Sequence, residues 1–238
     1  MKLFNRLFPF VAILILALSA SPGYGADLSE VIATLEQGYN SLTDVQADFS
    51  QRTTIASMKR EDRGKGELFI KKAGGGQAMF RFNYTKPNQQ IICNGKSVWF
   101  YLPDNKQVMV SDVSKQFAGG NGIAMNYLTG MGHVSRDFTI TFAGEGKDKK
   151  GNYVLDLVPK KPNQVMTRLQ LTIAASAVEQ FRESGKPVAL FPIVSSVVDD
   201  PFGNRTVIEF SRVKVNQGMT SGRFAFKIPK GVEVIKNR

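Results

Sequence analysis

The chain has 238 residues, of which 31 are Lys or Arg and 20 are Asp or Glu, for a net charge of +11 at pH 7. A single cysteine excludes an internal disulfide, and a single histidine excludes a metal site built from several histidines. The length is sufficient for one large β domain.

The first 25 residues are typical of a secretory signal peptide. Lys2 and Arg6 provide positive charge before an apolar run of twelve residues, Leu7–Leu18. A membrane span needs about twenty such residues, so the run is too short to be an anchor. Small residues then follow, and cleavage is predicted after Gly25, with Ala26 as the alternative position. No cysteine lies near this junction, so a lipidated N-terminus is not expected.

The predicted export affects which partners the positive charge indicates. After cleavage, residues 26–238 are predicted to form a single domain that is free in the periplasm, and the net charge falls by two. In an exported protein a basic excess is better explained by anionic membrane surfaces, acidic partners or solubility than by nucleic acid.

The mature chain begins with a predicted amphipathic helix. Asp27 or Ser29 can cap it. Its apolar residues recur with the helical period and form one stripe: Leu28, Val31, Ile32, Leu35 and Tyr39.

Alternating apolar and polar residues predict about a dozen strands in the rest of the chain. Residues 58–65 are charged and are predicted to form a hairpin tip, and Asn94-Gly95 predicts a tight two-residue turn. One antiparallel sheet of this length is expected to curl into an incomplete barrel around an apolar cavity. The predicted strands lie in residues 45–57, 66–72, 79–84, 91–101, 107–111, 138–142, 153–157, 169–173, 188–198, 206–210 and 224–228.

Two segments depart from this alternation. Residues 114–132 mix apolar residues with five glycines, and a short helix from Ile123 to Thr129 between glycine hinges is typical of a lid. A loosely packed loop fits that composition equally well. Residues 175–187 are rich in alanine and then charged, and their pattern assigns no structure.

Catalytic and metal-binding motifs are missing from the sequence. It contains no Gly-x-Ser-x-Gly elbow, phosphate-binding loop or zinc-ligand spacing. Cys93 lies in an apolar strand and is predicted to be a buried thiol, while His133 stands beside the predicted lid. Asp199 and Asp200 precede a proline and are predicted to form a turn. A binding protein with an apolar ligand, and with no enzymatic activity, cofactor or metal, is the remaining interpretation.

Several short motifs occur in order along the mature chain: Phe49-Ser-Gln51, Gly66–Lys72, Phe80-Arg-Phe82, Pro87, Asn94–Tyr101, Asp200 with Gly203-Asn204, Phe224-Ala-Phe226 and Pro229–Val232. Together these motifs resemble the LolA family of lipoprotein carriers. The resemblance implies an incomplete antiparallel barrel of about 11–12 strands with short α-helices forming a lid over an apolar cavity. It also implies a monomeric periplasmic carrier that takes acylated lipoproteins from an ABC-type release complex of the inner membrane to a LolB-like receptor of the outer membrane.

The alternation of the strands and the family pattern together suggest which residues form the lipid-binding cavity and its lid. The lid would contain Ile123, Met125 and Leu128. An arginine after the second strand helps to hold the lid in this family; Lys72 occupies the matching position here, and Arg81 is the other candidate for the lock. The cavity is predicted to be lined by Leu68, Ile70, Phe80, Phe82, Tyr84 and Trp99.

Other functions remain open at this stage. A different periplasmic lipid- or glycolipid-binding protein, or a module like an envelope-stress sensor, would have the same shape. A structural or enzymatic envelope protein would instead have a filled barrel. Binding of a hydrophobic dye, displaced by a lipidated peptide, would distinguish a carrier from a filled barrel.

Overall fold

The computed structural model describes residues 25–72, 78–113, 134–161 and 166–236. Within these ranges twelve strands join in one sheet, as the alternation predicts. Their bounds are β1 Asp44–Ile55, β2 Arg60–Lys72, β3 Ala78–Lys86, β4 Gln89–Cys93, β5 Ser97–Leu102, β6 Gln107–Asp112, β7 Phe138–Lys147, β8 Tyr153–Pro159, β9 Arg168–Ile173, β10 Ile193–Asp199, β11 Arg205–Val215 and β12 Glu233–Lys236.

The sheet is open. Its strand order is β12-β6-β5-β4-β3-β2-β1-β11-β10-β9-β8-β7, so β12 and β7 are the two edges of the described sheet. Every neighbouring pair is antiparallel except β12 and β6, which are parallel. The predicted mainly β fold with an incomplete barrel is therefore confirmed.

The described part of the chain contains three α-helices beside the sheet: α1 Leu28–Ser41, α2 Val134–Asp137 and α3 Ala175–Ser184. Asp27 caps α1 by accepting from the backbone N–H of Glu30, whose side chain accepts from the Asp27 N–H in return. Helix α3 occupies the segment that the sequence pattern left unassigned. Among the described residues, no helix combines the length and apolar character that crossing a membrane requires.

Polar bonds from α1 connect it to the other two helices. Glu30 pairs with Arg182 of α3 at 3.2 Å, and Glu36 accepts from the backbone and hydroxyl of Ser135 in α2. Gly38 lies against the loop before β10, where a Cβ would be only 3.0 Å from the carbonyl oxygen of Leu190. The helices therefore share one side of the sheet.

We call that side the inner face. Because strand side chains alternate, Val45 and Ala47 point to it and meet Leu68 and Ile70 of the paired strand. These four side chains are at most 1% exposed. They belong to one apolar cluster with α1, which contributes Val31, Leu35 and Tyr39.

The opposite side, or outer face, is crossed by the chain after β11. Phe224 packs on Phe69 and Met79, and the Phe226 ring lies 6.0 Å from Trp99. The predicted strand over residues 224–228 is therefore wrong. A 3₁₀ turn, Ser221–Phe224, and an irregular stretch replace it because this segment crosses the sheet instead of pairing with it.

Two turns differ from their predicted form. The β1–β2 connection is a short 3₁₀ turn, Ala56–Met58, and β2 begins at Arg60, so most of the predicted 58–65 tip is strand. Residues 58–65 are mostly charged and have no apolar face, so the sequence shows no alternation that would predict a strand there. At the β4–β5 hairpin the central residues are Gly95 and Lys96, one position later than predicted, and Gly95 has the positive φ of 86°.

Candidate functional site

An aromatic cluster lies on the inner face of β1 and β3. The ring of Phe49 is 5.4 Å from Phe82 and 4.8 Å from Tyr84, and Phe80 lies 6.2 Å from Phe82. The hydroxyl of Tyr84 donates to Gln51 at 2.7 Å, and burial raises the pKa of Tyr84 to about 12. The cluster is apolar with one polar edge.

Strand register brings five of the six predicted cavity residues to this face. Leu68 is opposite Phe82, Ile70 is opposite Phe80, and Tyr84 is opposite Gly66. Gly66 is required there because a Cβ would lie 1.9 Å from the carbonyl oxygen of Asn83. The close approach of β2 and β3 holds these five side chains in one group.

Trp99 does not share that face, so grouping it with Phe80 was wrong. Phe80 pairs with Cys93, which pairs with Val98, and the next residue along β5 therefore points to the outer face. Trp99 packs there against Phe226. The apolar run Val98–Tyr101 has no polar residue to mark its faces, so sequence alone could not choose between them.

The sequence-based site residues omit the inner face of the second half of the sheet. Strands β8 to β11 contribute as many large apolar side chains as β1 to β3 do. Their alternation was visible in the sequence, but only the register with β1 shows that they point to the same side. These residues are Leu155, Leu157, Leu169, Leu171, Ile173, Ile193, Ile208 and Phe210.

Two hydroxyl groups are buried on this side without a hydrogen-bond partner among the described residues, those of Tyr39 and Ser196. Burial raises the pKa of Tyr39, whose ring lies 5.8 Å from Phe191. An unpaired buried hydroxyl is costly, so each is a polar contact that a bound ligand could use.

The inner face is closed by its own helices. Leu68, Ile70 and Phe80 are at most 2% exposed, with α1 in the same cluster. Two open grooves, of about 910 and 460 Å³, lie on the other side, where Ser50 contributes to both. In this form α1 therefore packs in the same apolar cluster as the side chains that a ligand would contact.

Chemistry other than binding finds little support in the described ranges. No group of three or more His, Cys, Asp or Glu residues there could hold a metal ion. Cys93 is 1% exposed, and burial raises the pKa of its thiol, as expected for a buried cysteine. Asp200 accepts from the backbone N–H groups of Phe202 and Asn204, which confirms the predicted turn.

Residues 40–186 match the model of a protein family described as "Outer membrane lipoprotein carrier protein LolA". The chain belongs to the LolA family. A relative from Pseudomonas aeruginosa, named "Outer-membrane lipoprotein carrier protein", is 29% identical over 239 residues, covering 99% of this chain and all of the relative. A relative of the same name from Neisseria meningitidis serogroup B is 26% identical, with 98% of each chain covered.

The solved structures that resemble this chain are more distant. A structure described as a LolA superfamily protein from Nitrosomonas europaea has a TM-score of 0.43 and 13% identity, covering 84% of this chain and 98% of that one. The family assignment rests on the sequence matches.

Of the two residues suggested for holding the lid, Lys72 is the one that contacts a helix. Its ammonium group donates to the carbonyl oxygens of Tyr39, at 2.5 Å, and Asn40, at 3.1 Å, in the last turn of α1. Partial burial lowers the pKa of Lys72. The contact ties β2 to the helix that closes the inner face.

Arg81 does not fit the role of a lock for these helices. Its guanidinium lies on the outer face and donates to Asn83 and Gln90 and to the backbone carbonyl of Arg223. Burial, and then the charge of Arg223, lower the pKa of Arg81. It points away from α1 because it alternates with Phe80 and Phe82, and it instead holds the segment that crosses the outer face.

The predicted lid lies outside the described residues. This applies to Ile123, Met125 and Leu128, and to His133 beside them. The predicted signal peptide likewise lies outside them except for Gly25. These assignments stay predictions.

Proposed function

We propose that this chain is a periplasmic, non-enzymatic carrier that covers the acyl chains of lipoproteins released from the inner membrane and delivers them to the outer membrane. The observation that supports this most directly is the open sheet with an apolar inner face. Membership of the LolA family adds the class of cargo, because the relatives are named as lipoprotein carriers. Residues 26–238 would be the mature carrier.

The energetics favour an extended apolar face over a small pocket. Acyl chains contribute about 0.8 kcal/mol per buried methylene, so three chains of about fifteen methylenes each represent roughly 36 kcal/mol of exposure in water. A lipoprotein therefore needs a cover to cross an aqueous compartment. The inner face extends over β1–β5 and β7–β11, which offers the length that several chains need.

Loading would begin with α1. In the closed form its Val31 and Leu35 cover the same side chains that acyl chains would contact. Exchanging helix contacts for acyl contacts replaces one apolar surface by another, so the change costs little while cargo is bound. On delivery α1 returns, and the cargo is displaced. An ABC-type release complex and a LolB-like receptor would supply and accept the cargo.

The test uses spheroplasts of the source bacterium incubated with purified residues 26–238. We expect newly made lipoproteins to leave the membrane as soluble one-to-one complexes with the chain. Phe82→Ala on the inner face should reduce the retained lipoprotein several-fold, because it removes an aromatic ring from the cluster. Phe226→Ala removes the same ring from the outer face and serves as the matched control.

The outcomes separate the alternatives. Equal effects of Phe82→Ala and Phe226→Ala would contradict binding on the inner face. No lipoprotein release, with binding of a hydrophobic dye intact, would identify a different lipid-binding protein. Loss of both activities in the folded wild-type chain would mean a filled barrel.

A further inference from the structure

Two neighbouring turns form a protruding end of the sheet, which we call the tip: residues 55–59 between β1 and β2, and residues 200–204 between β10 and β11. The backbone N–H of Ala56 donates to the side chain of Asn204 at 3.0 Å. A Cβ on Gly203 would lie 3.5 Å from that of Ala56. The two turns are thus in direct contact.

The tip exposes large apolar side chains. Met58 is 65% exposed and Phe202 is 77% exposed, one on each turn. Apolar side chains that are exposed together, unlike ones scattered singly, often mark a surface that binds a membrane or another protein. Phe202 is also positioned, because its backbone N–H donates to Asp200 at 2.8 Å.

A basic groove of about 460 Å³ lies on the outer face of the strands that lead to the tip, lined by residues of β1, β2, β3 and β11. Its lining includes the cations Arg52, Arg63, Lys65 and Lys86, against one carboxylate, Glu209. Within the described ranges the two lysine ammonium groups form no ion pair, whereas both arginines are near Glu61. The groove therefore has uncompensated positive charge.

We propose that the tip docks the protein onto an anionic phospholipid surface. Met58 and Phe202 would enter the boundary between headgroups and acyl chains, and the cations of the groove would contact the lipid phosphates. Apolar insertion combined with basic residues is how peripheral proteins bind anionic membranes reversibly. The positive charge of the chain, which the proposed carrier function does not itself use, is explained in part by this surface.

The first experiment measures co-flotation of purified residues 26–238 with vesicles of phosphatidylglycerol and phosphatidylcholine in equal parts. Burying an aromatic side chain changes a partition constant by a factor of about ten or more, so Phe202→Asp should weaken binding by at least about tenfold. Val188→Asp is the matched control, because Val188 is 60% exposed at the other end of the strands and should leave binding unchanged.

The second experiment tests the charge. Each basic residue near an anionic surface contributes a factor of about five, so Lys65→Gln with Lys86→Gln should lower the partition constant by about 25-fold. Lys186→Gln with Lys227→Gln removes the same charge elsewhere and should have a much smaller effect. Pure phosphatidylcholine vesicles should bind weakly for the same reason.

Three results would overturn the proposal: no binding of the wild-type chain to anionic vesicles, binding unaffected by Phe202→Asp, or equal effects of the two lysine pairs. Dependence on Phe202 for binding a purified membrane protein, without vesicle binding, would reassign the tip as a protein interface. The vesicles contain no lipoprotein, so these results are independent of the carrier assay.

Discussion

The hydroxyl of Tyr39, in the last turn of α1, is buried without a partner among the described residues, whereas that of Tyr84 donates to Gln51. Both rings belong to the inner side of the sheet. The two residues therefore differ in the free energy of burying a hydroxyl. Burial of the Tyr39 hydroxyl has only the cost of desolvation, whereas for Tyr84 a hydrogen bond offsets that cost.

Tyr39→Phe is expected to raise the free energy of unfolding by about 1 kcal/mol, because it removes an unsatisfied polar atom. Tyr84→Phe is expected to lower the free energy of unfolding at pH 7 by a similar amount, about 1 kcal/mol, because it leaves Gln51 without its donor. Urea denaturation measures both. Destabilisation by Tyr39→Phe would mean that its hydroxyl has a partner in solution.

The raised pKa of Tyr84 predicts a dependence of stability on pH. The folded state binds the phenolic proton more tightly than the unfolded chain, so this contribution is complete below the unfolded pKa of 10.0 and is lost as pH rises toward about 12. The loss approaches roughly 2–3 kcal/mol at the upper limit. Denaturation of wild type and Tyr84→Phe at pH 8 to 12 should show the wild type losing its advantage above pH 10. A constant difference between the two would contradict the shift.

Between secondary-structure elements, the contact of Lys72 in β2 with α1 is a restraint that the proposed loading step must break. Lys72 donates to the carbonyl groups of Tyr39 and Asn40 in the last helical turn, where the Tyr39 carbonyl also accepts from the backbone N–H of Leu42. Neighbouring Lys71 points to the outer face, because the two residues alternate along β2.

Lys72→Met is expected to loosen the end of α1 and to increase hydrogen exchange of its amides by about tenfold, the value of one charged hydrogen bond. Lys71→Met changes the same charge without touching α1 and should leave exchange unchanged. Mass spectrometry after deuterium labelling measures both. Equal protection in the two variants would show that Lys72 does not restrain α1.

For the whole molecule, alternation predicted the β architecture well because one face of most strands is buried. The failures occurred where that rule does not apply. Helix α3 buries only Ala177 and Val178. Two adjacent residues do not form the apolar stripe by which a helix is recognised in a sequence. Residues 224–228 alternate like a strand but cross the outer face. The face of Trp99 depends on register across a turn, which no local pattern encodes.

The position of β1 in the sheet affects how the chain folds. One of its neighbours, β2, follows immediately in sequence, but the other is β11, and the bond from Thr43 to Asn216 joins residues 173 positions apart. Contacts of such long range make folding slow, because a large loop must close before they form. A newly made chain would therefore stay unfolded for a time after synthesis, which is the state that the predicted export through a narrow translocation channel would require.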